Sequence, residues 1–214
     1  PETLKSIHTQ ALLFRAQGNA KEAIRLHKQA FQMMKHNLGP THPDTLTAMS
    51  TLGGCYVWQG QQMKALPLIE EALRLSKEHL DERHPVTTNS LGLLAVISDA
   101  LRPDHESLPL HIEVLERHRR LLGEDHPKTL FAMMTTARAY LRTDSEIEAI
   151  QLLEAASLKM KKNLGEDRWP SIECLIYLSR AYLLVDHPTD ALESLQGLEH
   201  LTSSPKASQD QKFR

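Results

Sequence analysis

Leu122-Gly123-Glu124-Asp125-His126-Pro127 holds a helix ending, a turn and a helix start in one short run. A glycine after the last apolar residue of a helix accepts the positive φ that closes it. A proline opens the next helix at no cost, because the first helical position has no use for an amide hydrogen. The same His-Pro recurs at His42-Pro43 and His84-Pro85, each step being 42 residues, and Pro1 lies 42 residues before Pro43. Leu38-Gly39 and Leu164-Gly165 repeat the helix ending, and a fifth unit opens at Trp169 with its proline slipped by one to Pro170. Self-similarity at a fixed period of this size is the mark of a stacked repeat architecture.

The columns of the repeat describe two amphipathic helices per unit. In the first helix Leu46, Leu130 and Ile172 share a position with Leu4, and Met49, Leu91, Met133 and Leu175 share one with Ile7. A small residue follows at Ala11, Gly53, Ala95, Ala137 and Ser179, then an aromatic at Phe14, Tyr56, Tyr140 and Tyr182. These offsets of three and four place the set on one helical face. A turn residue comes next at Gly18, Gly60, Arg102, Asp144 and Asp186. The second helix carries small residues at Ala23, Ala65, Ser107, Ala149 and Ala191, and again at Ala30, Ala72 and Ala156. Small side chains at fixed places let helix axes approach to roughly 8–10 Å. One helix pair cannot bury its own apolar faces, so successive pairs stack into a continuous core.

The pattern Leu-x-x-Leu-Ala-x-x-Tyr-x-x-x-Gly-x-x-x-x-Ala resembles the tetratricopeptide repeat. Its 42-residue period and its Leu-Gly-Glu-Asp-His-Pro linker are similar to the long-repeat subclass of kinesin light chains and of arrays attached to NB-ARC-type signalling NTPases. The resemblance extends from residue 1 to about 201. It implies an all-α, right-handed α–α superhelix of about five helix pairs. The repeats would span 1–42, 43–84, 85–126, 127–168 and 169–202, the last a capping unit, with a disordered tail over 203–214. It also implies a protein–protein interaction scaffold that holds a peptide or helix of a partner in a concave groove. In kinesin light chains an Asn pair on each first helix helps hold cargo peptide. The matching positions here read His8-Thr9, Ser50-Thr51, Gly92-Leu93, Met134-Thr135 and Ile176-Tyr177, so the pair is absent and only Thr9, Thr51 and Thr135 keep hydrogen-bonding capacity.

The third repeat departs from the pattern. Ser98 stands for the aromatic, Ser107 for alanine, and Arg102-Pro103 for the glycine turn. Pro67 and Pro109 sit early in second helices, which must either start late or bend. The departures read as drift in a tolerant repeat, with a hinge or a specific contact as the alternative. In the fifth unit, Ala191, Leu192, Leu195, Leu198 and Leu201 share one face of the second helix and Glu193, Ser194, Gln196, Glu199 and His200 the other, as a capping helix requires.

By helical angle the groove face holds Lys5, His8, Leu12 and Arg15 in the first repeat and Phe131, Met134, Arg138 and Arg142 in the fourth. Arg138 and Arg180 are one period apart and fall on neighbouring first helices, with Arg142 one turn beyond. Guanidiniums so arranged suit a carboxylate-bearing, acidic peptide or helix. Trp58 is the candidate aromatic anchor at the groove edge, against the plainer reading that it packs on the next helix.

Other chemistries find little in the sequence. With 25 basic and 27 acidic residues no field calls for nucleic acid or a membrane surface, and no apolar run reaches spanning length. Cys55 and Cys174 form no disulfide framework, which suits a reducing, cytoplasmic setting. The periodic histidines belong to the turns, two helices apart, rather than to a metal site. No phosphate loop or nucleophile elbow occurs, and Cys55 falls on the core side. The expectation is a scaffold without catalysis, metal or cofactor. Pro1 has no preceding methionine, so the chain is expected to come from a larger protein, as a sensor arm of a signalling NTPase or as a kinesin-type cargo adaptor. Self-association through an open N-terminal repeat is a further expectation.

Overall fold

The computed structural model describes residues 19–101, 107–163 and 169–202. All of the regular structure in them is helical: α1 (Ala20–Leu38), α2 (Pro43–Trp58), α3 (Gln62–His79), α4 (Pro85–Leu101), α5 (Leu108–Leu122), α6 (Pro127–Tyr140), α7 (Glu146–Asn163), α8 (Trp169–Leu184) and α9 (Pro188–Thr202). The chain forms two compact units, Pro1–Pro103 and Asp104–Arg214. The first helix of the first repeat, the Leu164-Gly165 ending and the tail 203–214 lie outside the described residues.

The His-Pro step has a direct physical role. His42 caps α2 with Nδ1, which accepts the backbone N–H of Asp44 at 3.2 Å. His84 does the same for Val86 at 3.3 Å, and His126 for Lys128 at 3.1 Å. Proline removes the first amide of the helix and histidine satisfies the second, so the dipeptide deals with two of the groups a helix start leaves open. The turn column is explained by backbone geometry: φ is +68° at Gly60, +50° at Asp144 and +60° at Asp186. Glycine and aspartate are among the residues that tolerate this left-handed conformation. Each of these turns closes with an amide donating back to the carbonyl of the repeat aromatic, Gln61 to Tyr56, Ser145 to Tyr140 and His187 to Tyr182.

In the first unit α1 packs on α2, α2 on α3 and α3 on α4, and α2 also meets α4. One core cluster joins Phe31 of α1 to Leu46, Met49 and Leu52 of α2, Leu75 of α3 and Val86 of α4. A second centres on Ile69 of α3, which is enclosed by Ala65 and by Ile97, Leu93 and Leu94 of α4. Gly53 is small for a measurable reason: a Cβ there would lie 2.5 Å from Ile69 Cδ1. Pro67 lies inside α3, which runs through it on its exposed side, whereas Pro109 sits in the first turn of a late-starting α5.

In the second unit α5, α6, α7, α8 and α9 pack in succession, and α6 also meets α8. The small positions are buried throughout: Ala137, Ala149, Ala156 and Ala191, with Ser107 and Ser179 beside them in class. The linker between α5 and α6 is strapped down by charge. Glu124 forms an ion pair with Arg119 at 2.9 Å and accepts from Lys159 at 3.2 Å, and Lys159 also reaches Asp125 at 3.2 Å. Ala191 is buried, but Leu192 is 60% exposed and Leu195 37%. Among the described residues α9 packs on α8.

Candidate functional site

The groove candidates divide between the units. Thr51 and Trp58 belong to the first; Thr135, Arg138, Arg142 and Arg180 belong to the second; Lys5, His8 and Arg15 lie outside the described residues. Trp58 ends α2 with 76% of its surface exposed, so it does not pack on the following helix. Thr51 is half-buried and donates its hydroxyl to the Thr47 carbonyl at 2.8 Å. Thr135 likewise donates to Ala132 at 3.1 Å. Both threonines use their hydrogen on their own helix and keep only acceptor capacity outward.

On α6 the face predicted by helical angle is narrower than expected. Phe131 is 53% exposed, Arg138 is half-buried and Arg142 is exposed, but Met134 is buried. The helix meets α5, α7 and α8, so neighbours cover more than half of its circumference. Arg142 also has a structural partner: its Nη2 donates to the Ser107 hydroxyl of α5 at 3.2 Å. Beside it the Thr136 hydroxyl lies 2.8 Å from the Ala132 carbonyl of its own helix and 3.2 Å from the His111 carbonyl, and shares its one hydrogen between them. Ser107 and His111 are both buried. Residues of the third repeat that read as drift are thus met by hydroxyl and guanidinium groups from the fourth.

The α6 and α8 helices approach each other directly and carry Arg138 and Arg180 one period apart. Acid is scarce on them: α6 has none and α8 has only Glu173, against Lys128, Arg138 and Arg180. Phe131 and Ile176 are exposed on the same two helices. The acids of this unit lie elsewhere. The Tyr182 hydroxyl donates to the Glu154 carboxylate, and burial, then Glu154, then Asp190 and Glu193 push the phenol above its ordinary range.

Nothing in the described residues forms a group of three or more His, Cys, Asp or Glu side chains able to hold a metal ion. Cys174 is buried, donates its thiol to the Leu153 carbonyl at 3.6 Å, and is pushed up to about 12 by burial and then by Glu173. A thiol in that state is packing, not a nucleophile. No helix of the described residues is long and apolar enough to cross a membrane.

A model of the tetratricopeptide repeat matches residues 2–78 and 103–157. The chain belongs to the tetratricopeptide repeat family. The stretch between the two matches contains α4, where Ser98 replaces the repeat aromatic. No curated protein matches the sequence. Among solved structures, tetratricopeptide-like repeats assigned to a kinesin light chain of Podosopora anserina are 26% identical, with a TM-score of 0.79 and coverage of 94% of this chain and 95% of that one. The signal transduction ATPase with numerous domains from Pyrococcus horikoshii, which has a tetratricopeptide repeat sensor, shares the fold at TM-score 0.75 and 14% identity, over 97% of this chain and 31% of that one. A Rap protein complexed with competence and sporulation factor shares it at TM-score 0.69 and 12% identity, over 92% and 54%. The fold is an all-α solenoid of tetratricopeptide helix pairs, and its family role is that of a non-catalytic protein-interaction scaffold.

Proposed function

We propose that the chain binds an acidic peptide or helix of a partner protein along the face shared by α6 and α8. The observation that carries this is the charge pattern: two adjoining helices with Arg138 and Arg180, Arg142 two residues past the end of α6, exposed Phe131 and Ile176, and Glu173 as the one acid of the two helices. Arginines beside exposed apolar side chains suit a segment in which carboxylates alternate with apolar residues.

The test uses a panel of fluorescein-labelled peptides of equal length, acidic–apolar and charge-neutral, read by anisotropy. The acidic set binds more tightly, its affinity falls as salt rises, and alanine at Arg138, Arg142 and Arg180 together weakens it at least tenfold. Equal affinity of the triple variant overturns the proposal.

Two other readings are weaker. A cargo adaptor of kinesin type needs open amide groups at the Asn-pair positions. Ser50 is instead buried and accepts a hydrogen bond from Ser90 of α4 at 3.0 Å, and Met134 is buried too. A sensor arm of a signalling ATPase draws on shared fold alone. Reading the coding sequence upstream of Pro1 separates them: coiled-coil heptads favour the adaptor, and an NTPase domain favours the sensor.

A further inference from the structure

Lys128, in the first turn of α6, is held through its backbone by two histidine rings. His126 Nδ1 accepts its amide at 3.1 Å. His118 of α5 makes the other bond, which favours the proton on its ring, so the ring N–H donates and the Lys128 carbonyl accepts. Nδ1 of His118 is buried with no hydrogen-bond partner among the described residues, which leaves Nε2 as that donor. Neither the α2 nor the α4 start has this pair of rings. One period back, His84 caps Val86, and Ser76 stands in the place of His118. Two periods back, Met34 stands there, and His42 caps Asp44, whose carboxylate lies 3.9 Å from the ring.

Both rings fit this place only when neutral, because a protonated imidazole carries hydrogen on both nitrogens. On His126 the second hydrogen occupies Nδ1 and ends the bond to the Lys128 amide. Its charge then sits at a helix N-terminus, where cations are disfavoured. On His118 the second hydrogen occupies a buried Nδ1 that has no acceptor. We propose that the α5–α6 joint is an acid-sensitive latch, in which proton uptake by His118 and His126 gathers three cations around the start of α6 and loosens that helix from α5. Little stands ready to neutralise them. α6 carries no acid. In the linker, Glu124 pairs with Arg119 of α5 and Lys159 of α7, and Lys159 also holds Asp125. Glu116 of α5 pairs with Arg119, and the acid of α8, Glu173, acts on Cys174. Burial, then Lys128, then His126 hold His118 below the ordinary histidine value of about 6.5, against the backbone bond, which raises it. A base so lowered contributes stability that is complete above that value and is lost progressively as pH falls below it. α6 also bears Arg138, but the latch does not rest on the arginine face.

The test is histidine-ring titration by NMR in the whole chain, with the melting temperature followed from pH 7.5 to 5.0. His118 takes its proton below the ordinary histidine value, and His126→Asn and Lys128→Met each move its midpoint upward. The chain loses several degrees of melting temperature over that range. His118→Gln with His126→Asn loses less than half as much, because the amides keep the hydrogen bonds and take no proton. His36→Gln with His79→Gln, both exposed, keeps the full loss. A His118 that titrates at the ordinary value, or whose midpoint ignores both neighbours, overturns the proposal. So does an unchanged loss in the His118→Gln, His126→Asn variant. If that variant does not fold, the titrations of the native chain and of Lys128→Met decide.

Discussion

Two joints occupy the same place in the repeat and are built from opposite materials. Between α3 and α4, Ala65, Leu66 and Ile69 meet Leu93, Leu94 and Ile97. One period on, between α5 and α6, the same columns read Ser107, Leu108 and His111 against Thr135, Thr136 and Ala139, with Arg142 reaching Ser107. Polar residues stand on both sides of this joint, so the Ser107 hydroxyl and the His111 carbonyl each meet a polar group. A buried isoleucine contributes about 1.5–3 kcal/mol, while a hydrogen bond nets about 1 kcal/mol but is costly to leave half made. The apolar joint therefore supplies more stability, and the polar one discriminates more sharply against a wrong neighbour.

The largest effect is expected from emptying the apolar joint. Ile69→Ala should cost about 2–5 kcal/mol in a denaturant titration, from lost burial and the cavity left among Leu93, Leu94 and Ile97. His111→Ala should cost less, because the Thr136 hydroxyl bonds the His111 carbonyl, which alanine keeps. Equal costs at the two sites would erase the distinction. Overpacking comes next. Gly53→Ala and Ala149→Leu each put new atoms into a filled space and should cost roughly 1–3 kcal/mol. With Ile69→Val in the background the Gly53→Ala penalty should shrink, since valine lacks the Cδ1 that stands 2.5 Å from the added methyl. An unchanged melting temperature for Ala149→Leu would show that the helix register is wrong.

A finer probe acts on the polar joint alone. Thr136→Val should cost about 1 kcal/mol by removing the donor to His111. Adding His111→Ile should not repair that loss, because the carbonyl at 111 stays in place whatever its side chain and still lacks the Thr136 hydroxyl. A double variant less stable than the sum of its singles would mean that the joint's shape, not its hydrogen bonds, is what the residues serve.

The helix pairs were legible because their signal lies along columns: Ala65, Ala149 and Ala191 recur at one period and are all buried. The polar joint was not, because its partners lie across columns. Ser107 and Arg142 are 35 residues apart, off the period, so a column-by-column reading saw only Ser107 departing from alanine. Comparing the covered column of one repeat with the covering column of the next would have exposed it, as serine and histidine met two threonines. The candidate groove was half legible for a related reason. Helical angle put Met134 beside Arg138, but angle alone does not record how many neighbours a helix has, and α6 has three.

The smallest expected effect tests a feature common to both joints. His84 heads α4 and His126 heads α6, each with Nδ1 accepting the amide two residues on. If this cap is local to the helix start, His84→Ala and His126→Ala should cost the same, about 1 kcal/mol, as other N-caps do. That would lower the melting temperature by about 2–4 °C for a chain of this size. Asparagine at either position should restore most of the loss, since its side-chain oxygen can take the same amide. A larger loss at His126, unrepaired by asparagine, would mean that the ring itself matters there. The polar joint would then extend beyond Ser107, His111, Thr136 and Arg142 to the start of the helix that bears Thr136.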